Sequence, residues 1–234
     1  IYPSGAVNVA ARFTSTDMDA AQTEVSESTR TATFTPGRDD ARKEASKLNV
    51  PRIGVRFRLP ASMNQVEYFG RGPAENYLDR NAGSMVGLYK STAEELYFPY
   101  VRPQENGHHT DTRWVSLSTG KKGLLIQADN TIGFNALRNS IEDFDDEEAT
   151  GLSRQWSNFT PEQVANHDEA AAKNVLRRQH HINDITPRDF VEVCVDLKQQ
   201  GVAGYDSWGS RPEPAYTLPA NREYNWGFTL IPLK

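Results

Sequence analysis

A single cysteine in 234 residues leaves no partner for an intrachain disulfide. Cys194 lies inside Val191-Glu192-Val193-Cys194-Val195, where a packed strand residue is expected rather than a reactive thiol. There is no basic stripe. Twenty-six Lys and Arg are interspersed with 31 Asp and Glu for a net charge of −5, which argues against nucleic acid as a partner. No apolar run reaches the roughly 20 residues that a membrane-spanning helix needs. The chain opens on Ile1 with neither an initiator Met nor a charged-then-apolar leader. A fragment or processed product is therefore expected, with no indication of its compartment.

The usual chemical motifs are missing as well. There is no Gly-x-Ser-x-Gly elbow, and Gly70-Arg71-Gly72 lacks the third Gly and the Lys of a phosphate-binding loop. His108-His109 and His180-His181 are adjacent pairs, with His167 the fifth histidine. Neighbours on a strand point to opposite faces, so neither pair chelates one metal in regular β geometry. The acidic run from Glu142 to Glu148 lacks the alternating ligands and central Gly of a calcium loop. A solvated face is expected there.

What is present is β-strand. Period-2 alternation and β-branched or aromatic runs predict strands at Val7–Phe13, Arg52–Leu59, Gln65–Phe69, Thr112–Leu117, Gly123–Gln127, Phe190–Leu197 and Tyr224–Ile231. In Phe190–Leu197, Val191, Val193, Val195 and Leu197 share one face and Glu192, Cys194 and Asp196 the other, the pattern of a half-buried strand. Thr92–Leu96 reads as one helical turn capped by Ser91. Pro161–Arg178 has a helical composition with a thin apolar stripe. Hydrophobic residues make up only 37%, so long solvated loops are expected. Ser15–Leu48 and Ser140–His181 are polar and read as insertions or long loops. With no repeat and no clean linker, residues 1–234 are expected to form one all-β domain.

The loops carry the densest signal. Phe69–Arg80 and Tyr97–Gly107 mix Gly and Pro with aromatic and charged residues. Turn chemistry fixes such backbones, and loops of this kind build sites and interfaces. Glu75, Asp79, Glu105, Asp111 and Asp206 are the loop carboxylates from which a glycosidase pair would be drawn. Spacing alone nominates no pair, and most are expected to be structural: Asp79 and Arg80 in ion pairs, Glu105 and Asn106 in turn caps. Gly204-Tyr205-Asp206-Ser207-Trp208 differs, because its Trp lies outside any periodic strand. Trp208 either plugs the end of a sandwich or offers a platform for the apolar face of a sugar, the reading favoured here. Asp206 either accepts a hydrogen bond from a sugar or holds the loop through nearby N–H groups, and the second is preferred.

PRIGVRFRLP (51–60), VEYFGRGPAENYLDR (66–80), LYFPYVRPQENG (96–107), TRW (112–114) and GVAGYDSWG (201–209) closely resemble the C-terminal domain of the large bacterial β-galactosidases of glycoside hydrolase family 2. The opening IYPSGAVNVAARF (1–13) resembles that domain's first strand. These blocks cover about half of the chain, in the family's order. The resemblance implies a large antiparallel β-supersandwich of the galactose-mutarotase-like type. It implies a parent that is a retaining β-galactosidase, with both catalytic glutamates in an upstream TIM-barrel domain and none in this fragment. That barrel and a galactoside are the implied partners, in a homo-oligomer of the bacterial cytoplasm or periplasm. Mg²⁺ and Na⁺ are implied in the barrel and no metal ligand here. By residue-wise match Trp208 lines the subsite for the aglycone, such as the glucose of lactose, with Asp206 in support. Tyr205 departs from the Asp that the family often carries there.

Two other functions fit an all-β chain with such loops. A free-standing mutarotase-like aldose epimerase would need a general acid and base, for which His108 or His109 with Glu105 is the nearest set. A non-catalytic carbohydrate-binding or assembly module would need neither.

Overall fold

The computed structural model describes residues 7–13, 49–144, 182–206 and 210–233. Eight strands form one sheet: β1 (Val7–Phe13), β2 (Arg52–Pro60), β3 (Gln65–Gly72), β4 (Met85–Thr92), β5 (His109–Ser118), β6 (Gly123–Leu137), β7 (Phe190–Gln199) and β8 (Tyr224–Leu233). Every pairing is antiparallel. The only helical pieces among the described residues are three short 3-10 turns, and none is long and apolar enough to cross a membrane. The expected all-β class holds. The helix expected at Pro161–Arg178 lies outside the described residues, as do Ser15–Leu48 and most of Ser140–His181.

The main path of the sheet runs β1-β8-β6-β5-β3-β4. β6 is the strand around which it branches. Its first half, Gly123–Ala128, pairs with β8, and its second half, Gly133–Leu137, pairs with β7, which carries β2 on its far side. The change of partner coincides with a break in register against β5: Trp114 faces Gln127 while Thr112 faces Ile132. Four residues of β6, 128–131, therefore lie between these pairs against the single Arg113 of β5, an irregularity of the kind that bends a strand. The strand expected at Gly123–Gln127 stops at this irregularity, because Asp129-Asn130-Thr131 interrupts the apolar alternation.

One face of the branched sheet is the core. Val66 and Tyr68 of β3, Val115 and Leu117 of β5, Ile126, Phe134 and Ala136 of β6, and alternate valines of β7 form one buried cluster. Tyr68 reaches across the branch. Its ring lies 5.0 Å from His109 and 5.1 Å from Phe134, both edge-on. β4 was not expected. It is an edge strand whose Met85, Val86 and Leu88 are exposed, so its consecutive apolar residues do not alternate. The turn at 92–96 forms, but its cap is Thr92 rather than Ser91. Thr92 Oγ1 accepts the Glu95 N–H at 3.2 Å, and Glu95 Oε2 accepts the Thr92 N–H at 3.0 Å. The Ser91 hydroxyl instead donates to the same Glu95 carboxylate.

β7 corrects the half-buried reading. Its second face is buried too, with Glu192 and Cys194 each 3% exposed and Asp196 1% exposed. Burial pushes the Cys194 thiol up to about 12, so it packs as an uncharged side chain.

Close backbone approach also shapes the sheet. A Cβ on Gly70 would lie 2.8 Å from the Thr112 Cα on the neighbouring strand. Gly70→Ala is expected to pry β3 from β5 and cost about 1–3 kcal/mol, as overpacking of a tight interior does. Thermal unfolding checks it, and an unchanged midpoint contradicts the close approach.

Candidate functional site: the loops beside the branched sheet

The C-terminal ends of β3 and β6 and the N-terminal ends of β4 and β5 point to one end of the sheet, whereas β7, antiparallel to β6, runs the opposite way and ends beside the start of β2. The loops between β3 and β4, before β5 and after β7 nonetheless meet: the Asn76 N–H donates to the His108 carbonyl at 2.7 Å, and Asp79 reaches Ala203. Each of the five loop carboxylates has a contact in the fold. Glu75 is only 5% exposed at its side chain and ties two loops together. It accepts from Arg80 and the Tyr100 hydroxyl, and from the Gly107 N–H at 2.6 Å. Asp79 Oδ2 accepts the Ala203 N–H at 2.7 Å. Asp111 pairs with Arg71 at 2.5 Å. Asn106 behaves as a turn cap, accepting from the Phe98 N–H at 3.1 Å and donating to the Gln104 carbonyl at 2.9 Å. Glu105 joins a polar cluster described below.

Asp206 is exposed, and its Oδ1 accepts the Ser210 N–H at 3.3 Å. The Tyr205 N–H in turn donates to the Ser210 hydroxyl at 3.1 Å. These two bonds close the neck of the loop. Trp208 lies outside the described residues.

The sequence reading missed a buried polar cluster beneath these loops. Arg52 of β2, 18% exposed, donates from Nε to Asp196 of β7 at 2.9 Å. It also donates to the Asn135 side chain of β6 and lies 3.6 Å from Glu105. The Asn135 amide donates to Glu105 at 3.1 Å and to the Asn106 carbonyl at 2.8 Å. His108 Nδ1 donates to Asn135 Oδ1 at 2.8 Å, which sets its tautomer. Burial, with the Arg52 charge behind it, pushes His108 down to about 3 and keeps the ring neutral. Burial pushes Asp196 up to about 7 against the pull of Arg52. Burial also opposes the Arg52 charge, but Asp196 and Glu105 together hold its pKa above the ordinary value. The signal that could have found this cluster was Asp196 sharing a strand face with Glu192 and Cys194. That face was expected to be solvated.

Neither histidine is available for proton transfer. His108 is 1% exposed, and a Cβ on Gly133 would lie 2.5 Å from its Nε2, so the neighbouring strand covers that atom. His109 is equally buried, its ring nitrogens 3.1 Å and 3.2 Å from the Gly107 and Pro73 carbonyls. Burial lowers its pKa as well. Among the described residues, no three His, Cys, Asp or Glu side chains converge as a metal site would require.

The described residues thus form an all-β fold whose loop carboxylates are engaged with neighbouring loops and side chains. A family model described as the beta galactosidase small chain matches residues 1–230, and the chain belongs to that family. It is similar to the beta-galactosidase of Priestia megaterium, with 35% identity over 185 residues, covering 79% of this chain and 15% of that protein. It matches the beta-galactosidase of an Arthrobacter at 42% identity over 102 residues, 41% of this chain and 10% of the relative. The Vibrio cholerae beta-galactosidase matches at 29% identity, over 77% of this chain and 14% of its own length. The chain thus spans only a small part of the proteins it matches.

Proposed function

We propose that this chain is the C-terminal domain of a retaining β-galactosidase that hydrolyses terminal β-D-galactosides. In this reading the domain packs on an upstream catalytic barrel that holds the two glutamates, along with Mg²⁺ and Na⁺. It adds the Trp208 loop to the aglycone side of the active site, with Asp206 holding that loop. The observation that carries the reading is the family match across residues 1–230. The small share of the relatives' length supports a domain rather than a whole enzyme. The buried, neutral His108 and the engaged Glu105 favour it over an epimerase.

The test compares the full-length parent with this chain alone on lactose and an aryl β-galactoside. The parent is expected to turn over both and this chain neither; turnover by the purified chain overturns the assignment. In the parent, Trp208→Ala is expected to weaken use of the aglycone site. Stacking of a ring on an aromatic face is worth about 1–3 kcal/mol, so KM for lactose should rise and transfer to added glucose should fall by roughly 5- to 150-fold. Unchanged lactose kinetics and transfer contradict that role.

A further inference from the structure

Asp79 lies in the loop between β3 and β4, yet its side chain belongs to the loop after β7. Its Oδ2 accepts the N–H of Ala203, 124 positions away in the chain, at 2.7 Å. The fit is close on the other side as well. A Cβ on Gly201 would lie 2.5 Å from Oδ2 and 2.6 Å from Cγ, so glycine is what lets the carboxylate lie against this backbone. At the point of contact the chain turns left-handed for two residues, with φ of 55° at Ala203 and 87° at Gly204.

A left-handed alanine costs about 1–2 kcal/mol and persists only where its surroundings enforce it. The bond to Asp79 is made by that residue's own N–H. Asp79 is itself held, because its neighbour Arg80 is fastened to Glu75 and donates to the Tyr100 hydroxyl at 2.8 Å. Asp79 Oδ1 is buried and has no hydrogen-bond partner among the described residues. Asp79 is half-buried, and covering one oxygen without a hydrogen bond costs free energy and calls for a reason. The left-handed step at Ala203 supplies one. The segment has one anchor at its root and a second at its neck, where Asp206 and Ser210 meet.

We propose that Asp79 is a positioning residue for the aglycone-side loop: through Ala203 it sets the direction in which the chain leaves β7 toward Trp208. This rests on the reading that the Trp208 loop serves the aglycone side, and it gives Asp79 no contact with substrate. The same carboxylate links the loop after β3 to the loop after β7, so the two would move as one unit.

The experiment uses the full-length parent carrying Asp79→Ala, Asp79→Asn, Gly201→Ala, Trp208→Ala, or Asp79→Ala with Trp208→Ala. KM and kcat are measured for lactose and for β-galactosyl fluoride, whose aglycone is too small to stack, together with the partition of galactose between water and added glucose. Asp79→Ala is expected to raise KM for lactose about 5- to 20-fold, to lower transfer to glucose, and to affect lactose at least fivefold more than the fluoride, which has no ring to stack. Those ranges correspond to loss of part of a stacking contact. Asp79→Asn keeps an acceptor oxygen in place and should recover most of the loss. Gly201→Ala, which presses on the carboxylate from the other side, should reproduce it. The double variant should be no worse than Trp208→Ala alone. Should Asp79→Ala fail to fold, Asp79→Asn and Gly201→Ala carry the comparison.

Three outcomes overturn the proposal. One is a wild-type partition in Asp79→Ala and Gly201→Ala while Trp208→Ala is impaired. Another is an equal loss on both substrates. The third is an additive loss in the double variant, which would make Asp79 a purely structural residue. If Trp208→Ala itself changes nothing, the reading of the loop has failed, and the proposal falls with it.

Discussion

Replacing Arg52 with leucine lowers the stability of the β2–β7–β6 branch by about 3 kcal/mol, at the low end of what removing one partner of a buried ion pair costs. The low end applies because the Arg52 side chain is 18% exposed, so part of its own desolvation was never incurred. The loss comes from what is left behind. Asp196 is 1% exposed and keeps no cation, and Asn135 loses a charged donor. Asp196 escapes part of the penalty by taking a proton, since burial already holds it at about 7. The cost should therefore grow as pH rises above 7. Native-state hydrogen exchange of the β7 amides reads this directly, because it reports local opening whatever the rest of the protein does. Arg52→Leu amides as protected as wild type at pH 8 would show that the pair contributes nothing.

The second large effect is a pH dependence that two residues hide from each other. His108 titrates at about 3 in the fold against an ordinary 6.5, a depressed value. The unfolded chain binds that proton first. Its contribution to stability is complete above pH 6.5 and is lost as pH falls toward 3. Asp196 titrates at about 7 against an ordinary 3.8, a raised value. Here the folded state binds the proton first, so its contribution is present below 3.8 and is lost as pH rises through 7.

Between about pH 4 and 6.5 the two slopes oppose each other, one proton apiece, and nearly cancel. Removing either residue exposes the other. Asp196→Asn should lose about 3 kcal/mol relative to wild type on acidification from pH 6.5 to 4, and His108→Asn should gain a similar amount, at about 1.4 kcal/mol per pH unit. Exchange of the β7 amides, corrected for the intrinsic pH dependence of exchange, measures both differences. Parallel profiles for all three proteins would rule out opposed titration.

Much of the strand architecture is legible along the chain. Val7–Phe13 coincides with β1, and the other six expected strands fall inside β2, β3, β5, β6, β7 and β8. Alternation locates them because a strand with one buried face records that face every second residue. The two failures share a cause. β4 sits at an edge and leaves Met85 and Leu88 in solvent, and residues 129–131 in the middle of β6 fall between its ladders. Neither has a neighbour on both sides to impose the pattern. The turn at Thr92 was displaced by one residue because both Ser91 and Thr92 can cap, and only the end of β4 decides between them.

The loops divide in the same way. The motifs around Gly70–Arg80, Tyr97–Gly107 and Gly201–Gly209 are dense enough to be recognised in the sequence. Their internal bonds are not, because Glu75 finds Gly107, and Asp79 finds Ala203, only once the sheet has brought the loops together.

By itself the sequence determined the all-β class, most strand positions and the family, because these rest on local alternation and on contiguous motifs. Tertiary structure alone decided which polar residues are buried. Arg52, His108, Asn135 and Asp196 come from four separate segments, and each looks ordinary among its own neighbours. Period-2 spacing says which residues share a face of a sheet. It does not say whether loops fold over that face, and on that covering the charge states of Asp196 and His108 depend.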